Sequence, residues 1–229
     1  MISLRNVHRH YTGAGREVRA VDGVSLEIAD QEFVALTGPS GCGKSTLMHL
    51  LAGLDRPTSG EIQVGELSLH RADERALTDF RRRQLGIVFQ FFNLLPTMSV
   101  LENVMFPLLL QQRSRAESEK RAEEMLALVG LTERRAHFAH ELSGGEQQRT
   151  AIARALVHRP LFFIADEPTG NLDSKAADSV MAVVQEIAAA KLATVMLVTH
   201  SEEIAAVASR QLSMRDGKLR SANDHVSLG

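Results

Sequence analysis

Eight consecutive residues, Gly38-Pro39-Ser40-Gly41-Cys42-Gly43-Lys44-Ser45, match the spacing G-x-x-x-x-G-K-[ST] at every fixed position, and Thr46 follows. Glycines there let successive backbone N–H groups converge on phosphate oxygens, and a helix beginning at the loop adds partial positive charge. Lys44 supplies a cation for β- and γ-phosphates, and the Ser45 hydroxyl is suited to Mg²⁺. Further along, the apolar run Phe162-Phe163-Ile164-Ala165 ends in Asp166-Glu167. Asp166 suits a water-bridged metal ligand and Glu167 a base for an attacking water. Alone, such a pair reads as a helix cap or a solvated loop; with the glycine loop upstream it reads as nucleotide hydrolysis. A second glycine turn, Leu142-Ser143-Gly144-Gly145-Glu146-Gln147, also stands at a helix start and is built to present N–H donors to an anion.

These residues need strands and helices to aim them. Phe33-Val34-Ala35-Leu36-Thr37 is a compact apolar run and reads as a buried strand leading into the first loop. Thr46 to Ala52 continues without a breaker until Gly53, as a helix with a C-terminal glycine does. Residues 1–37 read as short strands separated by turns, with Val18 to Ile28 broken at Asp22-Gly23. Asp55 to Gly60 is turn chemistry, and Glu61 to Val64 and Gly86 to Phe89 are strands flanking a polar helix over Asp73 to Arg83. From Leu94 to Gly130 helix signals dominate: Ala122, Met125, Leu126 and Val129 follow helical spacing and Gly130 marks the stop. Beyond it come a strand over Leu161 to Ala165, a helix over Ser174 to Ala190, a strand over Thr194 to Val198 and a helix over Glu202 to Ala208. A hairpin turning at Asp216-Gly217 closes the series. This alternation implies an α/β sheet of mainly parallel strands whose ligand sites lie beyond the carboxyl ends of the strands.

Bulk composition excludes more than it identifies. The chain has 229 residues, 44% hydrophobic and 24% charged, which suits one globular domain and not a disordered or collagen-like chain. A formal charge of -2 gives no overall basic field for nucleic acid. The single Cys42 cannot form an intramolecular disulfide, and Met1-Ile2-Ser3-Leu4-Arg5 lacks a signal-peptide pattern, so a cytosolic protein is expected. No apolar stretch approaches the ~20 residues of a membrane helix; the richest, Val104 to Leu110, is broken by Pro107. Arg81-Arg82-Arg83 reads as a solvated helix face. Cys42, at a helix N-terminus, is either a reactive thiol or an inert small residue.

Taken in order, the glycine loop, Gln90, the Leu142 to Gln147 turn, the Asp166-Glu167 strand end, Asp173 in Gly170-Asn171-Leu172-Asp173 and His200 in Val198-Thr199-His200 resemble the ATP-binding cassette (ABC) ATPases over essentially the whole chain. The resemblance implies an α/β P-loop NTPase fold with a RecA-like core, an N-terminal antiparallel β subdomain and an inserted α-helical lobe. In that reading 1–90 and 158–229 form the nucleotide-binding core and about 91–157 the lobe. ATP and Mg²⁺ are the implied cofactors, held by Tyr11 against adenine, by Gly38 to Thr46, and by Ser45, Gln90 and Asp166 at the metal. Glu167, His200, Gln90 and Lys44 carry the implied catalysis. Ser143, Gly144 and Gly145 are implied to face the nucleotide of a second copy, with Asp173 across the interface, so a homodimer is the implied active form.

Phe91 to Val104, with Glu167 to Asp173, resembles the subgroup serving lipoprotein release, macrolide or peptide export and cell-division permeases. That implies an integral-membrane permease as partner, a peripheral place on the cytoplasmic face of the inner membrane, no direct membrane insertion and no nucleic acid. Apolar residues from Phe91 to Leu110 are either lobe core or a groove for a permease helix. The alternative, a soluble ABC ATPase acting on DNA or ribosomes, calls for a coiled-coil insertion or a second cassette. A stand-alone P-loop kinase leaves the second glycine turn and His200 unexplained.

Overall fold

The computed structural model describes residues 1–13 and 16–220. In chain order the elements are β1 (Ile2–Gly13), β2 (Arg16–Ile28), β3 (Phe33–Thr37), α1 (Lys44–Leu51), β4 (Ser59–Val64), β5 (Leu67–Ser68), α2 (Glu74–Arg83) and β6 (Leu85–Val88). Then come α3 (Val100–Leu110), α4 (Arg115–Leu128), two short 3₁₀ turns, α5 (Gly144–Leu156), β7 (Phe162–Asp166), α6 (Ser174–Ala189), β8 (Thr194–Val198), α7 (Glu202–Ala205), β9 (Arg210–Arg215) and β10 (Lys218–Arg220). The described residues divide into two units, one from 1–81 and 194–220, the other from 82–193.

In the first unit, β2, β1, β4 and β5 form an antiparallel sheet in that order. β3 lies between β9 and β8 and runs parallel to both, with Leu36 opposite Leu212 and Val198. Val34, Ala35, Leu36, Val195, Met196 and Leu197 are fully buried, which explains why β3 and β8 read as continuous apolar runs rather than alternating ones. The N-terminal strands are longer than expected. β2 passes straight through Asp22-Gly23, where the register moves from Val7 opposite Val24 to Arg9 opposite Val21. The extra residue is a β-bulge, and Gly23 takes it at φ +74°. Glycine there signals a bulge as readily as a turn, and pairing to β1 decides between them.

The second unit holds β6 and β7, parallel with Val88 opposite Ala165, and the helices α3 to α6. Its core is built from Phe162, Phe163, Ile164, Ile152, Ala153, Val104 and Leu126. Ala122, Met125, Leu126 and Val129 are all buried, as their spacing requires, and Gly130 ends the helix at φ +67°. Pro107 does not break the apolar stretch: α3 runs through it to Leu110. Ser99 with Glu102 and Ser114 with Glu117 close capping boxes at the starts of α3 and α4. Among the described residues no helix is long and apolar enough to cross a membrane.

Candidate functional site

In the first unit the glycine loop joins β3 to α1. Gly38 (φ +145°) and Gly43 (φ +110°) lie where side-chain-bearing residues are strained, and space forbids a side chain as well. A Cβ would come 2.2 Å from the Met214 carbonyl oxygen at Gly38 and 2.0 Å from that of Ala20 at Gly43. Gly43 is the N-cap of α1 and gives it no side-chain cap, so the start of the helix keeps its donors for a ligand. Lys44 is buried, and its Nζ donates to the carbonyls of Gly38 at 2.7 Å and Pro39 at 3.0 Å. The ammonium is thereby arched over the loop. Ser40, Gly41 and Ser45 are exposed and Thr46 is half-buried.

Cys42 is buried, its backbone tied by the Gly217 amide donating to the Cys42 carbonyl at 3.0 Å. That burial favours the inert reading of the thiol. Because β8 lies level with β3, exposed His200 stands just past the same strand ends as the loop, after Thr199 donates its amide to Leu36.

Tyr11, on β1, is 39% exposed and already engaged. Its hydroxyl donates to Asp55 Oδ2 at 2.7 Å, Arg9 Nε donates to the same oxygen at 2.8 Å, and the Arg9 guanidinium sits 4.4 Å from the ring centroid. One ring face therefore carries a cation, which leaves the other for stacking. Burial pushes the Asp55 carboxyl up, but hydrogen bonds from Tyr11, the Arg56 amide and Arg9 outweigh it and hold it below the usual range. Asp55 orients Tyr11, a role that its place in a turn segment does not signal in the sequence.

The second unit carries Gln90, Asp166, Glu167 and the second glycine turn. Asp166 closes β7 and Glu167 follows at φ +45°, an uncommon conformation for a residue with a side chain. Such outliers concentrate at working sites. Gln90, two residues beyond β6, is tied to Asn171: Asn171 Nδ2 donates to the Gln90 carbonyl at 3.1 Å and Gln90 Nε2 to Asn171 Oδ1 at 3.4 Å. Gly170 allows this approach, since a Cβ there would lie 3.1 Å from Gln90 Nε2. Nothing in the local sequence gives Asn171 a role; parallel pairing of β6 and β7 is what brings it to Gln90. Arg154 of α5 then donates to the carbonyls of Phe92 and Asn93, anchoring the segment that follows Gln90.

Ser143, Gly144 and Gly145 share a cleft of about 380 Å³ with Asp173, Arg149 and Lys175. The pairing of Ser143 with Asp173 follows from close contact of α5 and α6, where a Cβ at Gly145 would lie 3.0 Å from that of Ala176. Arg149 and Lys175 make the cleft cationic and were not singled out from the sequence; a lone basic residue on a helix carries no signal. Asp173 caps α6, its carboxylate accepting from the Ala176 amide at 3.0 Å. Ser143 Oγ accepts from the Glu146 amide at 3.3 Å and donates to Glu146 Oε2 at 2.8 Å.

Glu146 is a strongly perturbed acid. The Ser143 amide, against the opposing effect of burial and with help from the Ser143 hydroxyl and Arg134, holds its carboxyl at about 2. A carboxyl with a folded pKa depressed from the ordinary 4.5 stabilises the fold above that value, and the contribution is lost as pH falls toward about 2. Urea unfolding followed across this acid range is expected to show a shallower loss for Glu146→Gln than for the native chain; parallel curves would show that the carboxylate contributes nothing.

The apolar segment after Gln90 divides. Val100, Val104, Met105 and Leu108 are buried in the second unit, while Phe91 is 71% exposed and Leu109 and Leu110 are exposed too. Of the arginine run, Arg81 donates to the Gly53 carbonyl at 2.6 Å while Arg82 and Arg83 are exposed.

A glycine loop running from a buried parallel strand into an uncapped helix, with a lysine arched over it, defines a P-loop nucleotide-binding protein. Residues 21–170 match the family model described as ABC transporter. The chain is 43% identical to an uncharacterised ABC transporter ATP-binding protein, MJ1508, of Methanocaldococcus jannaschii, over 96% of this chain and 97% of that one. It is 42% identical to the lipoprotein-releasing system ATP-binding protein LolD of Geobacter metallireducens, with the same coverage of 96% and 97%. Among solved structures, it superposes with a TM-score of 0.87 and 39% identity on the dimeric ATP-binding cassette MJ0796 in a post-hydrolysis state with ADP and Pi, covering 96% of this chain and 97% of that one. The chain belongs to the ABC transporter family and has its ATPase fold; it is an ATP-binding, ATP-hydrolysing subunit.

Proposed function

We propose that two copies of this chain close head to tail on two Mg-ATP and drive a separate integral-membrane permease, in export, lipoprotein release or mechanotransmission. The observation that carries this reading is the cleft uniting Ser143, Gly144 and Gly145 with Asp173. It is a cationic, donor-bearing surface suited to the phosphates of a nucleotide, and in this reading that nucleotide is held by the loop of the second copy. The dimeric state of the MJ0796 cassette and the name of the LolD relative support the pairing and the permease.

The residue roles follow the chemistry. Gly38 to Thr46 binds the phosphates, Tyr11 stacks on adenine with its open face, and His200 contacts the γ-phosphate. Glu167 takes the proton of the attacking water, and Gln90 orients it and links residues 91–157, the helical lobe, to the core formed by 1–90 and 158–229. Ser45, Gln90 and Asp166 offer hydroxyl, amide and carboxylate oxygens, a donor set that suits Mg²⁺. When bound, the ion neutralises charge on the phosphates. Donors supplied from the second copy stabilise the γ-phosphoryl charge that develops in the transition state, so a monomer hydrolyses poorly. Phe91, with Leu109 and Leu110, is the apolar surface offered to a cytoplasmic helix of the permease, which keeps the chain peripheral on the cytoplasmic face.

The test is to tag the Glu167→Gln variant, trap it with ATP and Mg²⁺ in native membranes, solubilise gently and identify what co-purifies. A permease with a large extracytoplasmic domain is expected. Ribosomes, nucleic acid or no membrane partner would overturn the reading.

A further inference from the structure

The bulge in β2 brings together side chains that the nucleotide chemistry does not use. His8 and His10 occupy alternate positions of β1 and so project from one face, and Asp22 stands at the bulge on β2. One ligand atom from each lies within 4.8 Å of the others. His8 Nδ1 is 3.2 Å and His10 Nε2 3.9 Å from Asp22 Oδ1.

We propose that His8, His10 and Asp22 form a binding site for a divalent transition-metal ion of the Zn²⁺ type, separate from the Mg-ATP site.

The outer nitrogens carry the argument. His10 Nδ1 lies 3.0 Å from Glu17 Oε1, and His8 Nε2 lies 3.2 Å from Asn6 Oδ1. An imidazole that donates its outer N–H to an oxygen turns the lone pair of its other nitrogen inward, which is how metal-ligating histidines are held. In His10 that inner nitrogen, Nε2, is buried and has no hydrogen-bond partner. A lone pair in that position is an unmet acceptor, and a cation satisfies it. The spacing fits as well: at Zn–N distances of about 2.0–2.1 Å, tetrahedral ligands stand about 3.4 Å apart, between the two separations to Asp22 Oδ1.

Two imidazoles and one carboxylate select a borderline cation such as Zn²⁺ over Mg²⁺ or Ca²⁺, with water completing the set. The three side chains are 19 to 23% exposed, sheltered but reachable. Lys218 approaches the other carboxylate oxygen, Oδ2, at 3.5 Å, so it does not occupy the ligand position. The site also borders the nucleotide loop: the Asp22 amide donates to the Gly217 carbonyl at 2.8 Å, and the Gly217 amide to that of Cys42 at 3.0 Å. The competing arrangement is a direct hydrogen bond between His8 Nδ1 and Asp22, with no affinity for metal.

The full-length chain, stripped with EDTA and kept free of nucleotide and Mg²⁺, is titrated with Zn²⁺ against a chromophoric chelator and separately with Co²⁺. One equivalent of Zn²⁺ is expected to compete with the chelator, and Co²⁺ to show the intense ligand-field bands of a four-coordinate site. His8→Ala and His10→Ala are each expected to weaken binding at least tenfold and to abolish the Co²⁺ bands, while His140→Ala, at an exposed position elsewhere, leaves both as they are. If His10→Ala loses its circular dichroism signal, His10→Gln decides the matter. Zn²⁺ binding that is absent, or that persists unchanged in the histidine variants, would overturn the proposal.

Discussion

Glu167→Gln is expected to bind ATP as the native chain does and to turn it over ~10²–10⁴-fold more slowly, the range for losing a general base. Glutamine is nearly isosteric, and the feature that places this residue is its backbone. Glu167 adopts φ +45° and its carbonyl accepts the Gly170 amide at 3.1 Å, and neither depends on the carboxylate. What changes, in the role proposed for Glu167, is the ability to take a proton from water as it attacks. Single-turnover hydrolysis measured beside nucleotide affinity separates the two, because an interaction made only in the transition state lowers rate without weakening binding. Near-native turnover would remove Glu167 from the role of base and leave Asp166-Glu167 as a strand terminus.

Lys44→Ala is expected to act earlier, on ground-state binding. The buried ammonium is held over the loop by two carbonyls, those of Gly38 and Pro39, at 2.7 and 3.0 Å. A phosphate arriving there meets a charge already in position. Charge-assisted hydrogen bonds contribute about 1.5–3 kcal/mol each, so losing the contact is expected to weaken nucleotide affinity by roughly 10- to 150-fold. The truncation also frees the two loop carbonyls, and thermal melting without nucleotide separates that effect from the loss of affinity. Equal nucleotide affinity in the variant and the native chain would show that the backbone amides alone hold the phosphates.

Much of the architecture was legible before any coordinates. β3, α1, β7, α6, β8 and the hairpin at Asp216-Gly217 fall where apolar runs, caps and glycines place them. Residue spacing suffices there because each signal is local. A buried parallel strand is apolar on both faces, and a helix stops at a glycine that accepts positive φ. Pro107 was misjudged for the opposite reason. Its local penalty is real, but α3 is held on both sides of it by Val104 and Leu108, which are buried.

The sequence by itself determined the order of the motifs, the glycine-rich loop between strand and helix, and the class of chemistry, because those depend on residue type at fixed short spacing. Tertiary structure decided the relations between distant residues. It showed why Gly38 and Gly43 have no room for a side chain, since the obstructing carbonyls belong to Met214 and Ala20. It engaged Tyr11 with Arg9 and Asp55, joined Gln90 to Asn171, and set Asp173 in the same cleft as Ser143. The cluster of His8, His10 and Asp22 was beyond sequence reading altogether: it exists only in the register that the bulge imposes on β1 and β2, and one residue of slip sends alternate side chains to the opposite face.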